Sequence, residues 1–462
     1  MMRYVSTRGE APVLGFSDVL LAGLARDGGL YVPDSWPSVA HAPASTPYAR
    51  RAADIMSAFV GDDIPFDVLS RMCDEAYATF RDPAVAPLRE LGEGHHLLEL
   101  FHGPTLAFKD VALQLVGRLF DHVLAQRSQT ATIIGATSGD TGSAAIDGVR
   151  TCANVSIIIL YPLGRVSEVQ RRQMTTVDSP NVHAVAVEGT FDDCQDLVKA
   201  MFNDAAFRDA HNLAAVNSIN WARVLAQVVY YFTAIEQLDR GKTSFSVPTG
   251  NFGNVLAGWI ARRIGADIGH LIVGSNSNDI LTRFFETQSM QTRDVVPTLS
   301  PSMDIQVSSN FERLLFEMND RDGAFTARQL AEFRRTGRLD VDAESYGRWV
   351  RPTFRGHRCS DDETIATIRR VWEDHGILID PHTAIGVAAA EACRDGDDEQ
   401  IVTLATAHPA KFPDAVRRAT GRTPELPAHL ADLLSRPERT FTVANDLDAV
   451  RRVVAERAHA RT

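Results

Sequence analysis

Residues 101–110, Phe-His-Gly-Pro-Thr-Leu-Ala-Phe-Lys-Asp, hold a lysine where packing alone gives no reason for one. His102-Gly103-Pro104 reads as a turn, after which Val111, Leu115, Leu119 and Val123 fall on one helical face. Lys109 is therefore expected in the first turn of a helix, at the positive end of the dipole, where a cation is disfavoured. That field, with Leu106 and Phe108 limiting hydration, is expected to lower the pKa of the amine and free it as a nucleophile. Such an amine suits an imine link to an aldehyde cofactor or a carbonyl substrate. A surface lysine lying over apolar neighbours would need the same residues, so the stretch alone leaves both readings open.

Two further stretches offer anion sites. Residues 136–143, Ala-Thr-Ser-Gly-Asp-Thr-Gly-Ser, follow an apolar run at 131–135 and open a helix through Ala144 and Ile146. Glycines let the backbone approach a ligand, and free amides at a helix start bind anions. Ser138 and Thr141 add uncharged hydroxyl donors, which fits a carboxylate or a phosphate. Residues 248–254, Pro-Thr-Gly-Asn-Phe-Gly-Asn, repeat the arrangement between a strand ending at Val247 and a helix at 255–264. Either turn alone is explained equally well by tight packing. Two of them, both polar and both at the carboxyl ends of strands, mark a crevice for one ligand with two anionic groups or for two anionic ligands. Thr406, in Thr-Ala-His-Pro-Ala-Lys-Phe at 406–412, is expected at another strand's carboxyl end on the crevice side. His408, held extended before a proline, also reads as a plain turn residue. Capping accounts for Asn217-Ser218-Ile219-Asn220, but not for Arg223 in the first turn that follows, which points to an anionic partner.

The elements that carry these residues alternate. Apolar runs at 131–135, 155–161, 182–187, 244–247, 270–274 and 401–405 are separated by helical stretches. That pattern predicts parallel strands with crossover helices, an α/β fold. Residues 1–93 read as a mostly helical extension, with helices at 17–25, 48–60 and 66–77 and a Pro/Ala/Ser-rich connector at 33–47. Residues 320–375 are charged and helical in character, and the tail beyond Arg436 reads as one amphipathic helix. The length of 462 residues allows about three domain-sized units. The formal charge of −12 argues against a nucleic-acid or anionic-membrane surface. An anionic substrate then needs a local cluster of donors, for which Lys411, Arg165 and Arg171 join Arg223. No apolar stretch approaches the roughly 20 residues of a membrane span, and the N-terminal residues lack an apolar signal core. Five scattered cysteines without a Cys-x-x-Cys read as thiols in a reducing cytoplasm, and no metal site is expected.

Five segments taken together carry a resemblance: Gly-Leu-Ala-Arg-Asp-Gly-Gly-Leu-Tyr-Val-Pro at 23–33, the lysine segment, the Thr-Ser-Gly-Asp-Thr-Gly loop, the Gly-Asn-Phe-Gly-Asn loop and His-Pro-Ala-Lys-Phe at 408–412. In this order and spacing the chain resembles the threonine synthase family, of the long-chain type with an N-terminal extension, over nearly its whole length. The resemblance implies a pyridoxal 5'-phosphate (PLP) enzyme of the tryptophan synthase β-like fold (fold type II). Residues 94–128 and 215–435 would form its large PLP-binding α/β domain, 129–214 a small mobile α/β domain and 436–462 a C-terminal helix. Lys109 would hold the cofactor covalently and shuttle protons. Gly250, Asn251, Phe252, Gly253 and Asn254 would cradle its phosphate, Thr406 would face its ring nitrogen, and Asp140 would lie close to its ring oxygen. Ser138, Gly139, Thr141 and Gly142 would receive the substrate's carboxylate, and Arg223 is the first choice for a substrate phosphate.

The implied reaction takes O-phospho-L-homoserine and water to L-threonine and phosphate, in the cytoplasm, by a monomer or homodimer. A related phospho-lyase that stops short of threonine would share these residues. The substrates of a serine/threonine dehydratase would leave a phosphate site unused. A nucleotide-binding module without PLP fits less well, since neither cradle carries Gly-Lys-Ser/Thr or Gly-x-Gly-x-x-Gly.

Overall fold

The computed structural model describes residues 2–92, 94–238, 242–396 and 399–458. All eight residues of the strand Val155–Pro162 are buried, so it is covered on both faces, as parallel strands are. This strand is the centre of a five-stranded parallel sheet ordered Thr440–Ala444, Val182–Glu188, Val155–Pro162, Ala131–Ala136, Leu213–Ala214. A second sheet of six strands runs Phe354–Arg358, Ile268–Ser275, Thr243–Pro248, Gln400–Ala405, His95–Glu99, Leu88–Gly92, and is antiparallel only at the last pair. The expected α/β class with parallel sheets is the one the chain adopts.

Helix Trp221–Leu238 is buried at every position from Trp221 to Ile235, since all of these but Arg223, Gln227 and Thr233 are apolar. Helices Lys109–Gln126, Gly253–Ile264 and Tyr48–Val60 pack against it. The N-terminal extension is mostly helical, with Phe16–Ala22, Tyr48–Val60 and Phe66–Tyr77, plus a short antiparallel pair, Tyr4–Ser6 with Tyr31–Pro33. It is bonded into the core rather than laid over it. The Tyr4 hydroxyl donates to the Phe59 carbonyl at 2.8 Å and accepts from Trp221 Nε1 at 3.1 Å.

Two regions depart from the sequence reading. Residues 320–375 are not helical throughout: Phe354–Arg358 is the edge strand of the larger sheet, with Phe354 its one buried residue. The tail beyond Arg436 is not one helix either. Thr440–Ala444 is the edge strand of the smaller sheet, and the helix is confined to Leu447–Arg457. An edge strand is paired on one side only, and these two bury almost nothing, so neither has the apolar run by which a strand is recognised. Residues 459–462 of the expected helix lie outside the described residues. Val450 and Val454 pack into the same cluster as Ile134, Ile158 and Val185, so the tail is part of the smaller sheet's layer. Among the described residues no helix is long and apolar enough to cross a membrane.

Candidate active site

Lys109 is the first residue of helix Lys109–Gln126, and the loop before it is stitched to the loop that carries Thr406. Phe108 N–H donates to the Thr406 carbonyl at 2.8 Å, and His408 N–H donates to the Leu106 carbonyl at 3.0 Å. Leu106 sits in the left-handed region at φ 64°, an uncommon conformation for a residue with a Cβ. Asp110 locks the turn from inside, accepting from Thr105 N–H at 2.8 Å and Thr105 Oγ1 at 2.6 Å. Gly103 is required there, since a Cβ would come within 2.5 Å of the Asp110 side chain. The Lys109 amine lies 5.0 Å from the centre of the Phe108 ring and is buried. Burial lowers its pKa; Asp140 opposes the shift, while the charges of Lys411 and Arg223 add to it.

Asp140 lies across the crevice, at the start of helix Asp140–Val149 beyond the smaller sheet. One carboxylate oxygen stands 3.4 Å from Lys109 Nζ, and the other stands 3.0 Å from Lys411 Nζ and accepts from Gln170 Nε2 at 2.8 Å. Burial would raise this carboxyl, but Lys411 and Lys109, then His382 and the Gln170 amide, hold it well below the usual carboxylate range. Gly139 precedes it at φ 139°, where a Cβ would meet the Gln170 side chain at 2.4 Å. The amides of Gly139 and Gly142 donate to Thr137 Oγ1 at 3.0 and 2.9 Å. These two glycines therefore shape the loop, and its free donors lie elsewhere. The half-buried hydroxyls of Ser138 and Thr141, and the amides of Asp140 and Thr141, have no partner among the described residues.

The second cradle closes the larger sheet's side. Phe252, in the left-handed region at φ 61°, turns the chain into helix Gly253–Ile264. The amides of Asn251, Phe252, Gly253 and Asn254 find no acceptor among the described residues. Asn254 Oδ1 accepts from the hydroxyls of Tyr230 and Tyr231, and its buried Nδ2 has no partner among the described residues. Gly250 has no room for a side chain, since a Cβ would lie 2.7 Å from the Ser302 carbonyl. Free amides at a helix start with an orphaned amide nitrogen beside them are the donor set a phosphate satisfies. A buried amine of lowered pKa and a Thr406 hydroxyl without a partner among the described residues complete a site that fits PLP.

Of the four cations named for a substrate phosphate, Lys411 and Arg171 are already paired with carboxylates. Lys411 is fully buried and bonded to Asp140 and, at 2.7 Å, to the Thr105 carbonyl. Arg171 pairs with Glu438, and Arg165 is exposed. Arg223 is buried in the first turn of helix Trp221–Leu238, with Nη1 donating to the Val216 carbonyl at 3.2 Å and Nε unpartnered. It has no carboxylate partner among the described residues, and burial pushes its guanidinium down to about 10.

Sequence reasoning missed the Lys411–Asp140 pair, Gln170 and His382. His382 is buried, bonds Asp380 through Nδ1 at 2.6 Å, stacks edge-on against Phe412, and has its Nε2 unpartnered. The Asp-Pro-His-Thr capping pattern at 380–383 was a readable signal for that helix start. The other two depend on partners far away in sequence.

Three family models cover most of the chain: the N terminus of threonine synthase over residues 3–77, pyridoxal-phosphate dependent enzyme over 83–338, and the C-terminal part of threonine synthase over 383–454. A threonine synthase of Pseudomonas aeruginosa is 52% identical, covering 98% of each chain, and one of Schizosaccharomyces pombe is 42% identical, covering 98% of this chain and 97% of its own. The crystal structure of a PLP-bound threonine synthase from Brucella melitensis matches with a TM-score of 0.96 at 52% identity, covering both chains completely. By its sequence and by its fold, the chain belongs to the threonine synthase family of pyridoxal-phosphate-dependent enzymes.

Proposed function

We propose that the protein converts O-phospho-L-homoserine and water to L-threonine and phosphate with PLP as cofactor. The observation that carries this reading is the charge arrangement of the crevice. It combines a buried amine, two sets of donors that are free among the described residues, and a buried arginine that has no counter-ion among them, for a third anionic group. One phosphorylated amino acid and one phosphorylated cofactor supply three such groups.

When bound, PLP supplies an electron sink conjugated to the substrate's α-carbon. Gly250 to Asn254 would hold its phosphate through the amides of Asn251, Phe252, Gly253 and Asn254 and through Asn254 Nδ2. Thr406 would offer the ring nitrogen a neutral hydroxyl, which would not hold a proton there as a carboxylate would. Ser138 and Thr141, with the helix amides of Asp140 and Thr141, orient the substrate's carboxylate. Lys109 Nζ, buried and with its pKa lowered by that burial, takes the proton from Cα, gives it back to the bound pair, and as a free base again takes one from Cβ. Asp140, kept ionised by Lys411, stays an acceptor beside that amine and fixes its direction. Arg223 holds the phosphate that leaves from Cγ; the two protons taken are returned, to Cγ and to Cα, while water gives its hydroxyl to Cβ and its proton to the departing phosphate.

The unit at 129–214, which supplies four of the five strands of the smaller sheet, is read as the part that moves, in a cytoplasmic monomer or homodimer that binds no nucleic acid. Incubating the purified protein with O-phospho-L-homoserine and PLP tests the reading. Threonine and phosphate are expected in equal amounts; 2-oxobutyrate in place of threonine would make the protein a phospho-lyase.

A further inference from the structure

The start of helix Phe311–Met318 and the residues just before it have no part in the chemistry above, yet they touch both the 250–254 cradle and the segment leading into Arg223. Asn310 N–H and Nδ2 donate to the Asn251 carbonyl at 3.2 and 3.1 Å, and Nδ2 also reaches the Ser218 carbonyl at 3.0 Å. One side chain thus touches the backbone of the 250–254 cradle and of the segment that leads into Arg223. Ser308 Oγ donates to the Gly250 carbonyl at 2.6 Å. Arg313 orients Asn310 by donating from Nη1 to its Oδ1, and extends the same reach with Nη2 to the Ile219 carbonyl at 2.6 Å and Nε to the Tyr31 carbonyl at 3.0 Å. Every one of these acceptors is uncharged.

Arg313 is fully buried, and its guanidinium is pushed down to about 9 by that burial. The Glu312 charge and the face of the Trp221 ring, 5.7 Å away, offset only part of that burial, so keeping a charge there costs free energy, which a purely packing role would not require. Its neighbour Glu312 grips the N-terminal extension as well, accepting from Thr7 Oγ1 at 2.6 Å and pairing with Arg8 at 3.0 Å.

We infer that Asn310 and Arg313 are positioning residues that fix the distance between the cofactor-phosphate cradle and the Asn217–Arg223 segment. The N-terminal extension is the third arm of this knot, through Tyr31, Thr7 and Arg8. The role of the extension is then to brace the anion-holding side of the site. The carboxylate loop at 138–142 belongs to the other sheet and lies outside the knot. Loosening the knot therefore weakens what holds the two phosphates and spares what holds the carboxylate.

The inference rests on the reading that the substrate carries a phosphate, and its test separates the two. Wild type, Asn310→Ala and Arg313→Lys are prepared as holoenzymes. Three quantities are measured: KM for O-phospho-L-homoserine, the dissociation constant of L-threonine from the cofactor's absorbance, and cofactor retained after dialysis. Both variants are expected to raise KM by about tenfold, the effect of losing a buried hydrogen bond. They are expected to lose cofactor faster than wild type and to bind L-threonine within about twofold of it, since no contact to that ligand changes. Equal losses for the two ligands, or unchanged KM and retention, would overturn the inference. If Asn310→Ala does not fold, Arg313→Lys keeps the charge and the volume and carries the test alone. Wild type binding L-homoserine as tightly as its phosphate ester would instead refute the phosphate reading, and cofactor retention would still decide for or against the knot.

Discussion

Lys109 carries two duties in the proposed chemistry, bonding the cofactor and moving the proton at Cα. Threonine formation should fall below detection in Lys109→Ala, while the cradle at 250–254 still retains some cofactor without a covalent bond. Borohydride reduction and peptide mapping check the assignment, and label found on Lys411 would refute it. Arg223→Gln removes a charge that lacks a carboxylate partner among the described residues. Affinity for O-phospho-L-homoserine should drop by about tenfold or more, with L-homoserine little affected; parallel losses in a spectral titration would give Arg223 a packing role only. Asp110 is a third case, of a different kind. Burial, with Asp147 nearby, pushes its carboxyl up to about 7, so between the ordinary carboxylate range and about 7 the native state binds more protons than the unfolded chain. Stability must then fall as pH rises through that window and level off above it. Melting temperatures of Asp110→Asn across the window should lose this part of the slope, and a slope identical to wild type would contradict the argument.

The two cradles are built alike, as a strand, a glycine turn and a helix, but should fail differently. Gly253→Val puts a branched side chain where a Cβ already lies 3.2 Å from Asn310 Nδ2, so cofactor should be lost on dialysis. Thr141→Val keeps the shape and removes one hydroxyl, so cofactor should stay and substrate affinity fall by about tenfold. Visible absorbance after dialysis distinguishes the two, and equal loss would end the division of labour. Such junctions were legible because strand, glycine and helix start are neighbours in sequence. The helices Tyr48–Val60 and Phe66–Tyr77 were legible to the residue, since Pro47 and Pro65 fix where they begin and amphipathic periodicity carries them on. The edge strands Phe354–Arg358 and Thr440–Ala444 were not, because pairing makes them strands and almost none of their side chains are buried. Lys411 with Asp140, and Arg313 with Tyr31 and Ile219, escaped for another reason. Their meaning lies in partners 271 and 282 residues away for the first of each pair, a separation no local pattern encodes.

At the scale of the whole molecule, the smaller sheet is assembled from two distant parts of the chain. Thr440–Ala444 pairs with Val182–Glu188, and Val450 and Val454 of the following helix are buried beside Ile134, Ile158 and Val185. Val454→Asp would put an unpaired charge into that cluster, at a cost on the order of 3 kcal/mol. The melting temperature should drop by several degrees, with exchange of the Val182–Glu188 amides rising more than that of the Thr243–Pro248 amides; uniform exchange would mean the tail is not specific to the smaller sheet. The same arrangement sets a timetable for the ribosome. Residues 131–214 emerge early, yet their outer strand stays without its neighbour until residues 440–457 have been made. Through more than half of synthesis the nascent chain carries an open β-edge, the kind of surface on which unfinished chains cling to one another.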